Sequence, residues 1–345
     1  MIDLNEIFKR SQSSTHSTRD DRVLIIDGTN TFLRVCASLA HFNENGINVG
    51  AISGFLKSIA MNIRNFNASR CIVVFDGKGG SKRRKELYPD YKANRKDNPF
   101  KPKRPEGFSM TEAEERENMK WQLQRILCYM DCLPIHVMTG EGVEADDLVA
   151  FICKQYYNDN PYEKIRIVST DRDFLQLVNE KIEVYSPVKK KLYTVKEIEE
   201  EFGIKHENYI LYRTITGDTS DNIKGIRGAG LPTIIKNMPY LTTEVFTMEK
   251  LFDRVESEQK KSKILSEITN NKRLLELNHQ LMQLSEVDIP TTTKLLINNK
   301  LQSNINKIDR FQFKKYLIED YLTGSFKNFD EWIRSFSKMS MFSDG

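Results

Sequence analysis

Cysteine is scarce in this chain of 345 residues: five (36, 71, 128, 132 and 153), an odd number with no C-x-x-C pair. That argues against a disulfide framework and reads as buried or neutral thiols in a reducing compartment, so a cytoplasmic location is expected. No uninterrupted apolar run approaches the ~18 residues of a membrane helix. The N-terminus MIDLNEIFKRSQSSTHSTRDD lacks a basic-then-apolar leader, so neither a membrane nor an export role is expected. Strong overall charge is absent too, with a net charge of +4 against 39% hydrophobic and 29% charged residues. This is the composition of a well-charged globular protein, long enough for two domains that each bury a core.

What the chain does have is acid in short clusters where strands or turns should end. They are Asp27 in LIIDGTN, Asp76 in IVVFDGKG, Glu144, Asp146 and Asp147 in GVEADDLVA, Asp171 and Asp173 in VSTDRDFLQL, and Asp218 and Asp221 in GDTSDN. Most follow an apolar run or border a glycine, unlike the solvated acids of helix surfaces. If the clusters meet in space, their charge cannot persist unless cations neutralise it or protons are taken up. Oxygen ligands without His or Cys suit Mg²⁺ or Mn²⁺ rather than zinc. A carboxylate site with room for two ions suits in-line displacement at a phosphodiester.

The distribution of basic charge points the same way. Ten Lys/Arg residues (82, 83, 84, 85, 92, 95, 96, 101, 103 and 104) lie between Ser81 and Pro105, against Glu86, Asp90 and Asp97. Such a block is the footprint of a phosphate-backbone contact, with Lys82, Arg83, Arg84 and Lys85 nearest the Asp76 cluster. The plain alternative is a solvated loop.

The chain divides into a flexible arm over residues 1–21, an α/β region over 22–190 and a mainly helical region over 191–345. Strands are expected at Val23 to Ile26, Cys71 to Phe75, Leu133 to Met138, Ile165 to Ser169 and Ile182 to Tyr185, widely enough spaced for helices between them. That pattern predicts a mostly parallel sheet covered on both faces. Asp27, Asp76 and Asp171 then fall at the C-terminal ends of strands, the edge where such sheets bind ligands. Glu144, Asp146 and Asp147 open a helix whose Leu148, Ile152 and Tyr156 recur at helical spacing. Lys189 to Lys191 mark a basic turn. Beyond it, GDTSDNIKGIRGAGLPTIIKN (217–237) is a glycine loop between helices. Gly225, Gly228 and Gly230 would let backbone N–H groups approach a phosphate, unless the loop is an ordinary connection.

These blocks, in the order DGTN, FDG, YPDYKANR, GVEADDL, STDRDFLQL and GDTSDNIKGIRGAG, resemble the 5′-nuclease family over about residues 22 to 240. That family includes flap endonucleases, the 5′-nuclease domain of bacterial DNA polymerases and phage 5′→3′ exonucleases. The layout is most similar to phage members such as phage ribonuclease H, which would place the chain in an infected host's cytoplasm. The resemblance implies an inner metal site of Asp27, Asp76, Glu144 and Asp146 with Asp147 and Asp171 completing it, and an outer group of Asp173, Asp218 and Asp221. It implies two Mg²⁺, with Mn²⁺ able to replace them, and a K⁺ at the glycine loop. It further implies a helical arch over about 80–120, with catalytic Lys92 and, one helical turn on, Arg95 on the same face. Tyr91 would stack on a base or pack within the arch. In the glycine loop Ala229 and Pro232 depart from the family pattern, and the lysine usual at position 232 is missing.

The substrates implied are branched or 5′-ended DNA and RNA–DNA duplex. Two short apolar segments, Asp3, Leu4, Ile7 and Phe8 at one end and Met339, Met341 and Phe342 at the other, are candidates for a sliding clamp. The region 240–345 is a candidate surface for a single-strand-binding protein. A haloacid dehalogenase-type phosphohydrolase is disfavoured because Thr29 stands where that chemistry needs a second Asp. A non-catalytic nucleic-acid-binding scaffold gains nothing from acids beside phosphates. A compact RNA-processing nuclease would not need the long arch.

Overall fold

The computed structural model of the protein describes residues 22–97, 100–104, 110–159, 164–259 and 262–340. The terminal segments considered for a clamp therefore lie outside the described residues, except Met339. Met339 is fully buried in the core and belongs to no free peptide.

One six-stranded sheet organises the molecule: β1 (Arg22–Asp27), β2 (Arg70–Val74), β3 (His136–Met138), β4 (Lys164–Val168), β5 (Ile182–Ser186) and β6 (Lys191–Tyr193). Its spatial order is β3-β2-β1-β4-β5-β6, and every pairing is parallel except β5 with β6. The expected strands are all present. The third is shorter than expected, because Leu133 and Ile135 are buried by the turn that precedes the ladder. The sheet also continues past the basic turn, since Lys190 takes a left-handed φ of 50° that reverses the chain into β6.

Side chains alternate across the sheet, as the pleat requires. Val23 and Ile25 of β1 face one core layer with the helix Ala145–Asp159 and the helices between Val195 and Gln302. Leu24 and Ile26 face the other, with the helices Gly28–Ser38, Gly50–Phe66 and Glu112–Asp131. Both faces are thus covered, and the carboxyl edge stays open for a ligand. The strand order reverses between β2-β1 and β4, the crevice where such sheets bind. Among the described residues no helix is long and apolar enough to cross a membrane. All five cysteines are free, and burial pushes the Cys36 and Cys132 thiols up to about 12 and about 11.

The chain's last described helices close over the second layer. Phe313 is 0% exposed, its ring centroid 4.9 Å from Tyr129 and 5.2 Å from Trp332. Buried Asp320 accepts from Tyr129 Oη at 2.8 Å and from Arg125 Nε at 2.9 Å. Phe313→Ala should destabilise the fold by about 3–5 kcal/mol through lost burial and a cavity, read from urea unfolding.

Candidate active site

Asp27, Asp76 and Asp171 reach the sheet edge because each ends or closely follows a strand. Asp27 ends β1 and caps the helix Gly28–Ser38: Oδ1 accepts from the Asn30 backbone at 2.9 Å, Oδ2 from the Ser169 hydroxyl at 2.9 Å. Asp76 follows β2; its backbone N–H donates to Thr29 Oγ1 at 3.0 Å, and its Oδ1 accepts from the Ala145 N–H at 2.7 Å. Gly77 lets this loop approach the next, since a Cβ there would lie 1.6 Å from the Gly140 carbonyl oxygen. After β4, the Asp171 N–H donates to Ser169 Oγ at 3.1 Å, while Asp171 Oδ1 accepts from the Asp173 N–H at 2.8 Å. Asn30 exchanges hydrogen bonds with Thr170 and so ties the first acid turn to the fourth.

Of the remaining acids, Glu144, Asp147, Asp173, Asp218 and Asp221 are paired with cations, and Asp146 is not. Buried Glu144 accepts from Arg84 and from Lys92, both at 2.5 Å, and Asp147 is held bidentately by Arg84 at 2.8 and 2.7 Å. Arg213, which the sequence reading missed, holds Asp173 at 3.0 Å and Asp218 at 2.5 Å. Its only sequence signal is an arginine five residues before Asp218. Asp221 binds Arg95 at 2.7 Å and lies 3.7 Å from Lys92 Nζ.

Burial and pairing together set the electrostatics of these acids. Burial pushes Asp27 up to about 7, helped by Asp76 and Asp171, although the Asn30 and Ser169 hydrogen bonds resist it. Burial and then the Asp171 and Asp27 charges drive Asp146 well above the ordinary range. Asp171 is raised chiefly by burial, and burial with Asp171 lifts Asp173 to about 7 despite Arg213. Burial would raise Glu144 too, but Lys92 and Arg84 outweigh it and hold it below the ordinary range. Asp218 is likewise lowered, by Ser220 and Arg213 against burial. Among the described residues no lysine or arginine pairs with Asp27, Asp76, Asp146 or Asp171.

These four oxygen donors fit hard divalent cations, which would supply the missing positive charge. No three of the site acids bring oxygens within 4.8 Å of one another; among the described residues only Glu199, His206 and Glu207 do so.

The basic segment differs from the expectation. Lys82 and Lys85 are exposed, whereas Arg83 donates to the Asp288 carbonyl at 2.9 Å. Arg84 is 4% exposed and committed to the acids, because its position on the helix Lys82–Leu87 turns it inward. Tyr91 is 3% exposed, its hydroxyl 3.2 Å from Glu144 and 3.1 Å from Asp221, so its ring is not presented for base stacking. Lys92 sits in a turn with φ 58°, not on a helix with Arg95. The two converge through Asp221 instead, since this turn is fastened to the GDTSDN hairpin by Lys92 N–H to Asp221 O at 2.9 Å and Asn94 Nδ2 to Thr219 O at 2.8 Å.

That hairpin, β7 (Gly217–Asp218) and β8 (Ile223–Lys224), follows the helix Tyr209–Thr216. A Cβ at Gly225 would lie 2.1 Å from the Thr216 carbonyl, so this glycine serves a close backbone crossing. Gly228, at φ 83°, and Gly230 are exposed before the helix Leu231–Asn237.

Raised carboxyls bind protons more tightly folded than unfolded. Their stabilising contribution is complete below the ordinary carboxylate range and is lost as pH rises through about 7. In EDTA the melting temperature should therefore fall between about pH 5 and pH 8. Asp27→Asn should flatten that slope, and Mg²⁺ should raise the melting temperature of the parent more than that of the variant, both by differential scanning fluorimetry.

Comparison with known proteins gives the family. The family described as 5′-3′ exonuclease, N-terminal resolvase-like domain, matches residues 22–203. The 5′-3′ exonuclease of Buchnera aphidicola is 29% identical over 80% of this chain and 91% of its own length. The thermostable DNA polymerase I of Thermus filiformis is 31% identical over 70% of this chain; the match spans 26% of that polymerase. In fold, a bacteriophage T5 flap endonuclease complex with DNA and metal ions aligns at TM-score 0.62 and 23% identity, covering 87% of this chain and 98% of that one. With more than half its length inside the matched profile, this chain belongs to the 5′-3′ exonuclease family of nucleases.

Proposed function

We propose that the chain is a divalent-metal-dependent, structure-specific 5′-nuclease. It would hydrolyse phosphodiesters at the 5′ ends of branched DNA or RNA-primed duplexes and so remove primers or flaps in replication. The observation that carries this reading is the set of four acids, Asp27, Asp76, Asp146 and Asp171, without a cationic partner beside the cation-paired Glu144, Asp173, Asp218 and Asp221. The first four would hold the cations directly. Two Mg²⁺, or Mn²⁺ in their place, would supply charge neutralisation, an acidified water and stabilisation of the departing oxygen.

The protein's own groups do the rest. Lys92, whose ammonium is held above its ordinary range by Glu144, Asp221 and Asp146 against the pull of burial, stays charged within the cluster. It is placed to offset charge on the non-bridging phosphate oxygens. Arg95, its side chain 58% exposed, can take a phosphate in the same way from the rim. Lys82, Lys85 and Arg83 would follow the phosphate backbone, and the exposed Gly228 and Gly230 would offer backbone groups to duplex or to a K⁺. Arg84 and Tyr91 serve instead to hold Glu144 and Asp221. A sliding clamp would be met by the N-terminal peptide, and a single-strand-binding protein by part of 240–345.

The decisive assay compares a 5′-labelled flap with a 5′-recessed RNA–DNA duplex, in Mg²⁺ and in EDTA. Cleavage should require the metal and fall by more than about a hundredfold in Asp27→Asn, since even outer-shell partners of a metal cost 10–100-fold. Lys92→Ala should lower kcat by about 10²–10³ while metal binding persists. Retained binding without cleavage of either substrate would favour the scaffold reading.

A further inference from the structure

The helix Lys272–Met282 carries none of the acids, yet three of the segments that do are fastened to it. Asn278, 1% exposed, donates through its side-chain amide to the carbonyls of Thr214 at 3.1 Å and Lys224 at 2.8 Å. It thereby ties the helix that leads into the hairpin bearing Asp218 and Asp221 to that hairpin's last strand. The Leu281 carbonyl accepts from Arg84 Nε at 2.8 Å, and the other nitrogens of Arg84 hold Glu144 and Asp147. The Met282 carbonyl accepts from Gln176 Nε2 at 2.9 Å, and the Leu284 N–H donates to Gln176 Oε1 at 2.8 Å. The same Nε2 lies 2.9 Å from the Asp173 carbonyl. The last turn of a helix leaves its carbonyls without intrahelical donors. Leu281 and Met282 spend theirs on the acid-bearing segments.

From this we infer that Asn278 and Gln176 are positioning residues for metal binding. They hold the Asp218–Asp221 hairpin and the Asp171–Asp173 turn at a fixed offset from Glu144, using one helix as the common reference. Neither touches substrate or metal. The bonds join side-chain amides to backbone on both sides, so each fixes two chain segments at once, within the ~0.5 Å tolerance that a preorganised site demands. An apolar residue of similar volume could fill either place without holding anything, which separates positioning from packing.

The inference rests on the divalent-metal reading above, so its test begins with Mn²⁺ titrated calorimetrically into the unmutated protein without nucleic acid. Asn278→Ala and Gln176→Ala should each weaken Mn²⁺ binding by about tenfold, the lower range for groups that orient metal ligands. At saturating Mn²⁺ kcat on the flap substrate should recover toward the parent's, with KM within about twofold. Asn208→Ala is the matched control, because Asn208 is 0% exposed and also bridges two carbonyls, those of Leu241 and Glu244. It should lose melting temperature comparably and keep the parental isotherm. Parental isotherms in both Asn278→Ala and Gln176→Ala would overturn the inference, as would an equal loss of Mn²⁺ affinity in the control. If Asn278→Ala fails to fold, Gln176→Ala alone decides. A parent that binds no Mn²⁺ would overturn the metal reading itself, and the positioning role with it.

Discussion

Carboxylates crowded at the open edge of one sheet repel each other and lose hydration as the chain folds, and most of the local architecture answers that cost. Two kinds of answer are visible. Neutral donors satisfy individual oxygens: the Asn30 and Ala145 backbones and the Ser169 hydroxyl. Full charges neutralise others: Arg84 and Lys92 at Glu144, Arg213 at Asp173 and Asp218. At Asp27 the two neutral donors do not offset burial, which holds the carboxyl near 7. Of the four acids left without a cation, Asp27, Asp146 and Asp171 are held above the ordinary carboxylate range, a standing instability of the sort that persists at functional sites when the surrounding fold over-determines it.

That surrounding fold couples two segments more than a hundred residues apart. Between the turn at Asp90–Asn94 and the hairpin at Thr219–Asn222, Lys92 N–H, Asn94 Nδ2 and Asn222 Nδ2 donate to backbone carbonyls, and Tyr91 Oη donates to the Asp221 carboxylate. Both sides use left-handed residues, Lys92 at φ 58° and Asn222 at φ 60°, a conformation uncommon outside glycine and here fixed by the opposing backbone. The lysine and arginine offered to phosphate therefore share a mechanical unit with Asp218 and Asp221. Movement of one implies movement of the other.

Much of this was legible in the sequence for a simple reason. A buried parallel strand announces itself as a short β-branched run, and an acid immediately after it must lie at the sheet's carboxyl edge. Asp27, Asp76 and Asp171 could be placed that way. The partners of the acids could not. Arg84 and Lys85 are adjacent and chemically alike in the sequence, but about 100° of helical rotation buries one against Glu144 and leaves the other in water. For Tyr91 the sequence left base stacking and packing within the arch both open, and its hydroxyl closes a gap between two acids. The i,i+3 argument for Lys92 and Arg95 assumed a helix where tertiary bonds impose a turn. Arg213, Asn278 and Gln176 sit in no cluster at all, and only the folded chain brings them to the site.

Burial has the last word in how the site would bind. Both faces of the sheet are sealed by helices, the second layer by elements as late in sequence as Phe329–Arg334. Water is thereby confined to the carboxyl edge. The low polarisability behind the acids raises their proton affinity, and by the same Coulombic scaling it strengthens their attraction for a divalent ion. A doubly charged cation gains from several carboxylates at once, whereas each proton neutralises one. The arrangement that makes the acids costly in isolation is therefore what would favour divalent charge at the proposed site, and it depends on residues remote from the edge as much as on the acids themselves.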